Sequence, residues 1–154
     1  MRINHIKKFI AEVEPDIIML QEIKCSNDDF PDFHNEIDYK VSINGQKGKF
    51  GVAVLIKKNL TFEEFELSSE ILNKESRVNF LYINELNLNL INVYTPNGNP
   101  MDNNEKFEFK ISWLEELNKL SKSLIKKNKN VLIAGDFNVL ENEKDVNDFE
   151  EWGN

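Results

Sequence analysis

The sequence predicts an α/β domain. Two segments carry apolar residues at helical spacing, several short apolar runs read as strands, and those runs end in clusters of polar residues. In the first segment Ile3, Ile6, Phe9, Ile10 and Val13 fall on one stripe, so a helix is expected over 2–14, stopped by Pro15. In the second, Phe107, Ile111, Leu114, Leu117, Leu120 and Leu124 step by three and four across 104–127. Asp102 and Glu105 give it a start resembling a capping box, and Lys126, Lys127 and Lys129 suit the negative end of its dipole.

The strands follow in order. DIIML at 16–20 is expected to be buried and to deliver Gln21, Glu22, Ile23 and Lys24 at its carboxyl end. Residues 26–36 are polar with Pro31 and two phenylalanines, a loop or short helical turn, and 39–43 reads as a strand. Gly45, Lys47, Gly48 and Lys49 lead into a strand over 51–57; they are either a contact for a phosphate backbone or a plain hairpin connection. A strand over 61–67 carries Glu63, Glu64 and Glu66 and is expected to be exposed. Strands over 77–83 and 86–93 flank Asn84-Glu85, a separation typical of a tight hairpin. The second ends in Tyr94-Thr95-Pro96-Asn97-Gly98, which is strong turn chemistry and also a way to present a Tyr and an Asn to a phosphate. The apolar run 131–134 has no alternation, as expected of a strand buried on both faces. It leads into Gly135, Asp136, Phe137 and Asn138. Along an extended backbone Asp136 and Asn138 point the same way while Phe137 packs behind. Such a pair either grips a divalent metal or phosphate oxygen, or simply makes a turn that Asn138 caps. The tail after Val139 is acidic and without periodicity. The chain therefore reads as one partial domain over 1–154, open at both ends.

With 154 residues, 40% hydrophobic and 30% charged, the composition is that of a soluble globular protein with a real core. No apolar stretch is long enough to span a membrane, and the amino terminus lacks the apolar block of a secretory signal. The one cysteine, Cys25, has no internal disulfide partner. This agrees with a reducing cytoplasm, and Cys25 is expected to be inert near a strand end. A net charge of −8 argues against a broad nucleic-acid face, but not against an enzyme that touches a few phosphates locally. Open α/β sheets place ligands outside the carboxyl ends of their strands. That makes Glu22 a candidate metal ligand, with a surface salt bridge to Lys24 as the plain alternative.

LQEIK at 20–24, GVAVLIKK at 51–58, INVYTPNG at 91–98 and AGDFNV at 134–139 stand in order. Together they resemble the exodeoxyribonuclease III family of the endonuclease/exonuclease/phosphatase superfamily, and the resemblance covers essentially the whole chain. It implies a DNase I-like four-layer α/β/β/α sandwich, with a mixed, mostly antiparallel sheet flanked by helices and each half of the fold contributing one sheet. It implies Mg²⁺-dependent phosphodiester hydrolysis, with Mn²⁺ as a substitute, on double-stranded DNA at abasic sites or 3′ ends during base-excision repair. Glu22 matches the principal metal ligand, and Tyr94 the tyrosine near the scissile phosphate. Asp136 matches the aspartate that orients or deprotonates the attacking water, and Asn138 the asparagine that bonds the phosphate. Asn97 belongs to the same motif as loop structure.

The departures are specific. The family's opening Trp-Asn strand is absent, as is the later Ser-Asp-His motif; His5 falls in the first helix and His34 in an early loop. Phe50 stands where relatives have Asn. The resemblance thus implies an amino-terminal portion lacking the first strand and the carboxy-terminal half. A sheet face is then expected to be exposed and to favour association with that half or with a second copy. Two other readings stand beside the nuclease. One is a catalytically incompetent half-domain serving as a binding subunit or remnant; the other is a phosphoesterase acting on a non-DNA substrate.

Overall fold

The computed structural model describes residues 3–98 and 104–140. The apolar stripe of the amino-terminal segment forms α1 (Ile3–Val13), followed by β1 (Ile17–Gln21). A 3-10 turn at Asp32–Asn35 precedes β2 (Tyr39–Asn44) and β3 (Val52–Lys57). Then come β4 (Phe62–Glu64), α2 (Glu70–Asn73), β5 (Val78–Ile83) and β6 (Leu88–Tyr94). The long helix α3 (Asn104–Lys126) returns the chain to β7 (Asn130–Asp136). The short helix α2 has no apolar period to announce it; it is started by Ser69, whose hydroxyl accepts from the Leu72 amide at 3.4 Å. The expected strand over 61–67 shrinks to three residues. Asp102 and the acidic tail lie outside the described residues.

The strands form two sheets, ordered β1-β3-β2 and β4-β5-β6-β7. Every pairing is antiparallel except β6 with β7, which is parallel. The period-two alternation explains how they stack. In β3, Ala53 and Leu55 face α1 and the 3-10 turn, where Ile10, Phe30 and Phe33 close the outer core. Val54 and Ile56 face the other way and meet Leu81, Ile83 and Leu90 between the sheets. On the far side Ile91 and Val93 pack under Trp113 and Leu117 of α3, with Leu72 of α2. Helix, sheet, sheet and helix are thus all present in this chain.

Three expectations change. The chain supplies two stacked sheets rather than one, because β3 and β6 are apolar on both faces and each needs a cover on each side. The faces of β3 and β6 are accordingly covered, and the expected open face is confined to the end of the sheet, where Leu132 of β7 shares the inner face with Leu90 but is exposed. For the same reason, the run 131–134 is not buried on both faces. Val131 and Ile133 pack against α3, but Leu132 is 44% exposed. The 16–20 strand is half-buried rather than buried, also as an end strand.

Gly135 is required where β7 passes β6. Its φ is +138°, and a Cβ there would stand 2.1 Å from the Val93 carbonyl oxygen. Gly135→Ala is expected to destabilise the fold by about 2–3 kcal/mol, read as a lower urea midpoint at unchanged slope. An unchanged midpoint would show that the β6–β7 approach tolerates a side chain.

Candidate active site

The carboxyl ends of β1, β6 and β7 meet at one end of the sandwich. Parallel pairing sets Tyr94 directly beside Asp136, and Asn92 one step below beside Ala134. Paired residues share a sheet face, so Tyr94 and Asp136 both stand on the side that faces β1. Beyond β1 the chain turns sharply: Glu22 and Lys24 both have φ of +54°, and Phe50 opposite them has +52°. Asn138 shares this left-handed conformation at +49°, as do Glu14, Asn87 and Asn128 at turns away from the site. Amides of Ile23 and Lys24 donate to the carbonyls of Gly51 and Phe50 at 3.1 and 2.9 Å, which holds the turn against β3.

Glu22 is the centre of the cluster. Its Oε1 accepts the Tyr94 hydroxyl at 2.5 Å, and Lys24 Nζ lies 2.8 Å from Oε2. The salt bridge expected as the alternative role for Glu22 therefore exists. The Lys24 bond, with the Tyr94 bond next, pulls the Glu22 carboxyl below its usual range and keeps it anionic. Burial, then the Glu22 carboxylate beside it, pushes the Tyr94 phenol up to about 12, so it stays a donor at neutral pH. A raised folded value means that this contribution to stability is fully present below pH 10 and is lost as pH rises through about 12. Tyr94→Phe is expected to delete one phenolate transition near pH 12 from the alkaline absorbance titration. Loss of a transition near the ordinary phenol value of 10 instead would refute the Tyr94–Glu22 bond.

Asp136 and Asn138 are joined by a local turn. The Asn138 amide donates to Asp136 Oδ1 at 2.9 Å, while the Asn138 carboxamide donates to the Thr95 carbonyl at 2.7 Å. The Thr95 amide in turn donates to the Asp136 carbonyl at 2.8 Å. Phe137 packs behind, in the α3 cluster. Asn97 takes part through its backbone: its carbonyl accepts from Lys110 Nζ at 3.1 Å. Burial pushes the Lys110 ammonium down, an effect that the Asp136 charge opposes.

Three further participants were not singled out in the sequence, although Asn92 lies within the INVYTPNG segment. Arg77 is buried; its guanidinium sits 3.9 Å from the centroid of Phe50 and 4.8 Å from that of Tyr94, and it donates to the Tyr94 carbonyl at 3.1 Å. These stacked contacts hold the phenol ring from behind. Its signal is the register, since Val78 pairs with Val93 and Arg77 therefore lies across from Tyr94. Asn92 is fully buried between the sheets. It accepts from Gln21 at 2.7 Å and donates toward the Leu20 and Ala53 carbonyls and Asn79 Oδ1, each at 3.2 Å. An amide on an apolar face of β6 is the clue to it. Lys110 is the third. Away from the cluster, His34 stacks near Phe30 and faces Asp32, and burial pushes the Cys25 thiol up, which disfavours a reactive thiolate.

Among the described residues no three His, Cys, Asp or Glu side chains gather as a metal cage. Mg²⁺ does not need one: it keeps waters and takes one or two carboxylates plus substrate phosphate oxygens. Glu22, anionic and already facing a cation in Lys24, fits such a site. Among the described residues no helix is long and apolar enough to cross a membrane.

The comparisons with known proteins agree with this layout. Residues 1–154 match the model of the endonuclease/exonuclease/phosphatase family. The exodeoxyribonuclease III of Haemophilus influenzae is 30% identical over 148 residues, which are 94% of this chain and 55% of that protein. An AP endonuclease from Archaeoglobus fulgidus superposes with a TM-score of 0.84 at 31% identity, over 99% of this chain and 58% of that one. A 3′ phosphatase from Neisseria, bound to a product DNA hairpin, superposes with a TM-score of 0.79 at 26% identity, over 98% and 58%. The chain thus spans little more than half the length of each of these relatives. With the four-layer sandwich and the strand-end cluster in place, the conclusion is that the chain belongs to the endonuclease/exonuclease/phosphatase family.

Proposed function

We propose that this chain carries part of a metal-dependent nuclease site of the exodeoxyribonuclease III type, acting on duplex DNA at abasic sites or 3′ ends in base-excision repair. The observation that supports it most is the Tyr94–Glu22 contact with Asp136 paired beside Tyr94. Glu22 would hold Mg²⁺, or Mn²⁺ in its place. When bound, the metal polarises a phosphoryl oxygen and stabilises charge on the leaving oxygen.

The chain's own residues divide the remaining work. Tyr94, kept protonated, would turn its one hydrogen from Glu22 to a phosphate oxygen when that carboxylate is engaged by a metal. Asp136 takes a proton from the attacking water. Asn138 commits one amide hydrogen to Thr95 and has a second for the phosphate. Lys24, Lys47 and Lys49 flank the Glu22 turn, where the Gly48 amide donates to the Lys24 carbonyl at 3.1 Å. That small basic rim supplies local phosphate contacts in an otherwise acidic protein. A cytoplasmic location belongs with this reading, given a single thiol and a DNA substrate.

The second reading, a binding subunit without activity of its own, is favoured by the shares of 55% and 58% of the relatives' lengths. The test is nicking of a duplex with one abasic site by the purified chain. Cleavage is expected with Mg²⁺, is expected to vanish with a chelator, and to return with Mn²⁺. Chelator-resistant cleavage would reject the metal assignment. A folded chain that binds the duplex without cutting it would favour the binding subunit, and a complementing carboxy-terminal half would be the next addition.

A further inference from the structure

Beyond Tyr94 and Asp136 the β6–β7 ladder stops, yet Asn138, assigned to the phosphate, sits on a segment that follows it. We propose that Lys110 is a positioning residue that clamps the 95–98 loop to the 136–138 turn and so sets where Asn138 stands relative to the strand-paired Tyr94 and Asp136. Its part in cleavage rests on the nuclease reading above. Lys110 lies on α3, half-buried, and its ammonium donates to the Asn97 carbonyl at 3.1 Å and to the Asn138 carbonyl at 2.5 Å. One cation thus spans both segments, and charge-assisted bonds of this kind are about twice as strong as neutral ones. Its stem runs close along the loop as well: at Gly98, with φ of +79°, a Cβ would come within 2.8 Å of Lys110 Cδ.

Among the described residues two further hydrogen bonds join the segments, the Thr95 amide on the Asp136 carbonyl and the Asn138 carboxamide on the Thr95 carbonyl. Both involve Thr95, so of the bonds described only the Lys110 ammonium reaches the loop at Asn97. Because α3 is anchored by fully buried Trp113, the clamp ties the site to the rigid outer layer rather than to another loop.

The test uses Lys110→Met, which keeps the stem and removes the ammonium. Two amides report on the clamp: Thr95, bonded to the Asp136 carbonyl, and Asn138, bonded to the Asp136 carboxylate. Both are expected to exchange with solvent about tenfold faster, while Leu90 and Ile91 inside β6 keep their rates. On an abasic duplex, kcat is expected to fall about tenfold with KM nearly unchanged. Unchanged exchange at Thr95 and Asn138, or an equal acceleration at Leu90 and Ile91, would overturn the clamp. If the wild-type chain does not cleave, the amide pattern still decides the clamp, and the nuclease reading falls separately.

Discussion

Glu22→Ala is expected to leave the chain folded and to lower Mg²⁺-dependent cleavage of an abasic duplex by about a thousandfold or more, equivalent to about 4 kcal/mol of transition-state stabilisation. The side chain is 46% exposed, so its removal opens no cavity. What is lost is the anion that Lys24 and Tyr94 both address. The Tyr94 hydroxyl would then turn to water, and its pKa would drop because the neighbouring carboxylate is gone. Glu22→Gln separates charge from shape: it keeps an oxygen for Tyr94 but not the anion a metal requires. In the wild type, the lowered carboxyl value means the Glu22 contribution to stability is present above pH 4.5 and is lost as pH falls through the folded value. That acid limb should be missing from the glutamine variant. Full cleavage by either variant would remove Glu22 from the metal site.

Asn92→Leu is expected to cost about 3–5 kcal/mol of folding stability, measured by urea unfolding. The two side chains are close in volume, so packing is not the main cause. The substitution strands the Gln21 amide, the Leu20 and Ala53 carbonyls and Asn79 Oδ1 in the layer between the sheets. It also frees Gln21, the residue before Glu22, so residual activity should fall more steeply than stability alone would require. A loss under about 1 kcal/mol would show that water or side-chain rearrangement satisfies those groups.

Comparing sequence with structure element by element shows where each kind of information lies. Helices α1 and α3 were legible because their stripes are long and regular, and the β5–β6 hairpin because its turn is short. The helix α2 was not, since four residues cannot display a period. Glu22, Tyr94, Asp136 and Asn138 were legible as polar residues following apolar runs at strand ends. Arg77 and Lys110 were not, because an arginine at the start of a strand and a lysine in a helix are ordinary surface residues until the register places them. Phe50 stood out as a departure, and the structure gives it a partner in the Arg77 guanidinium.

Alone, then, the sequence determined the local elements, the α/β class and which side chains end the strands, since these depend on spacing along the chain. Only the tertiary structure decided that one chain builds both sheets. It also decided that 131–134 ends a sheet, half-exposed, and that the Tyr94 hydroxyl donates to Glu22. Each of these depends on which distant strand lies alongside. Such neighbours are set by burying both faces of β3 and β6 at once, a condition no local pattern expresses.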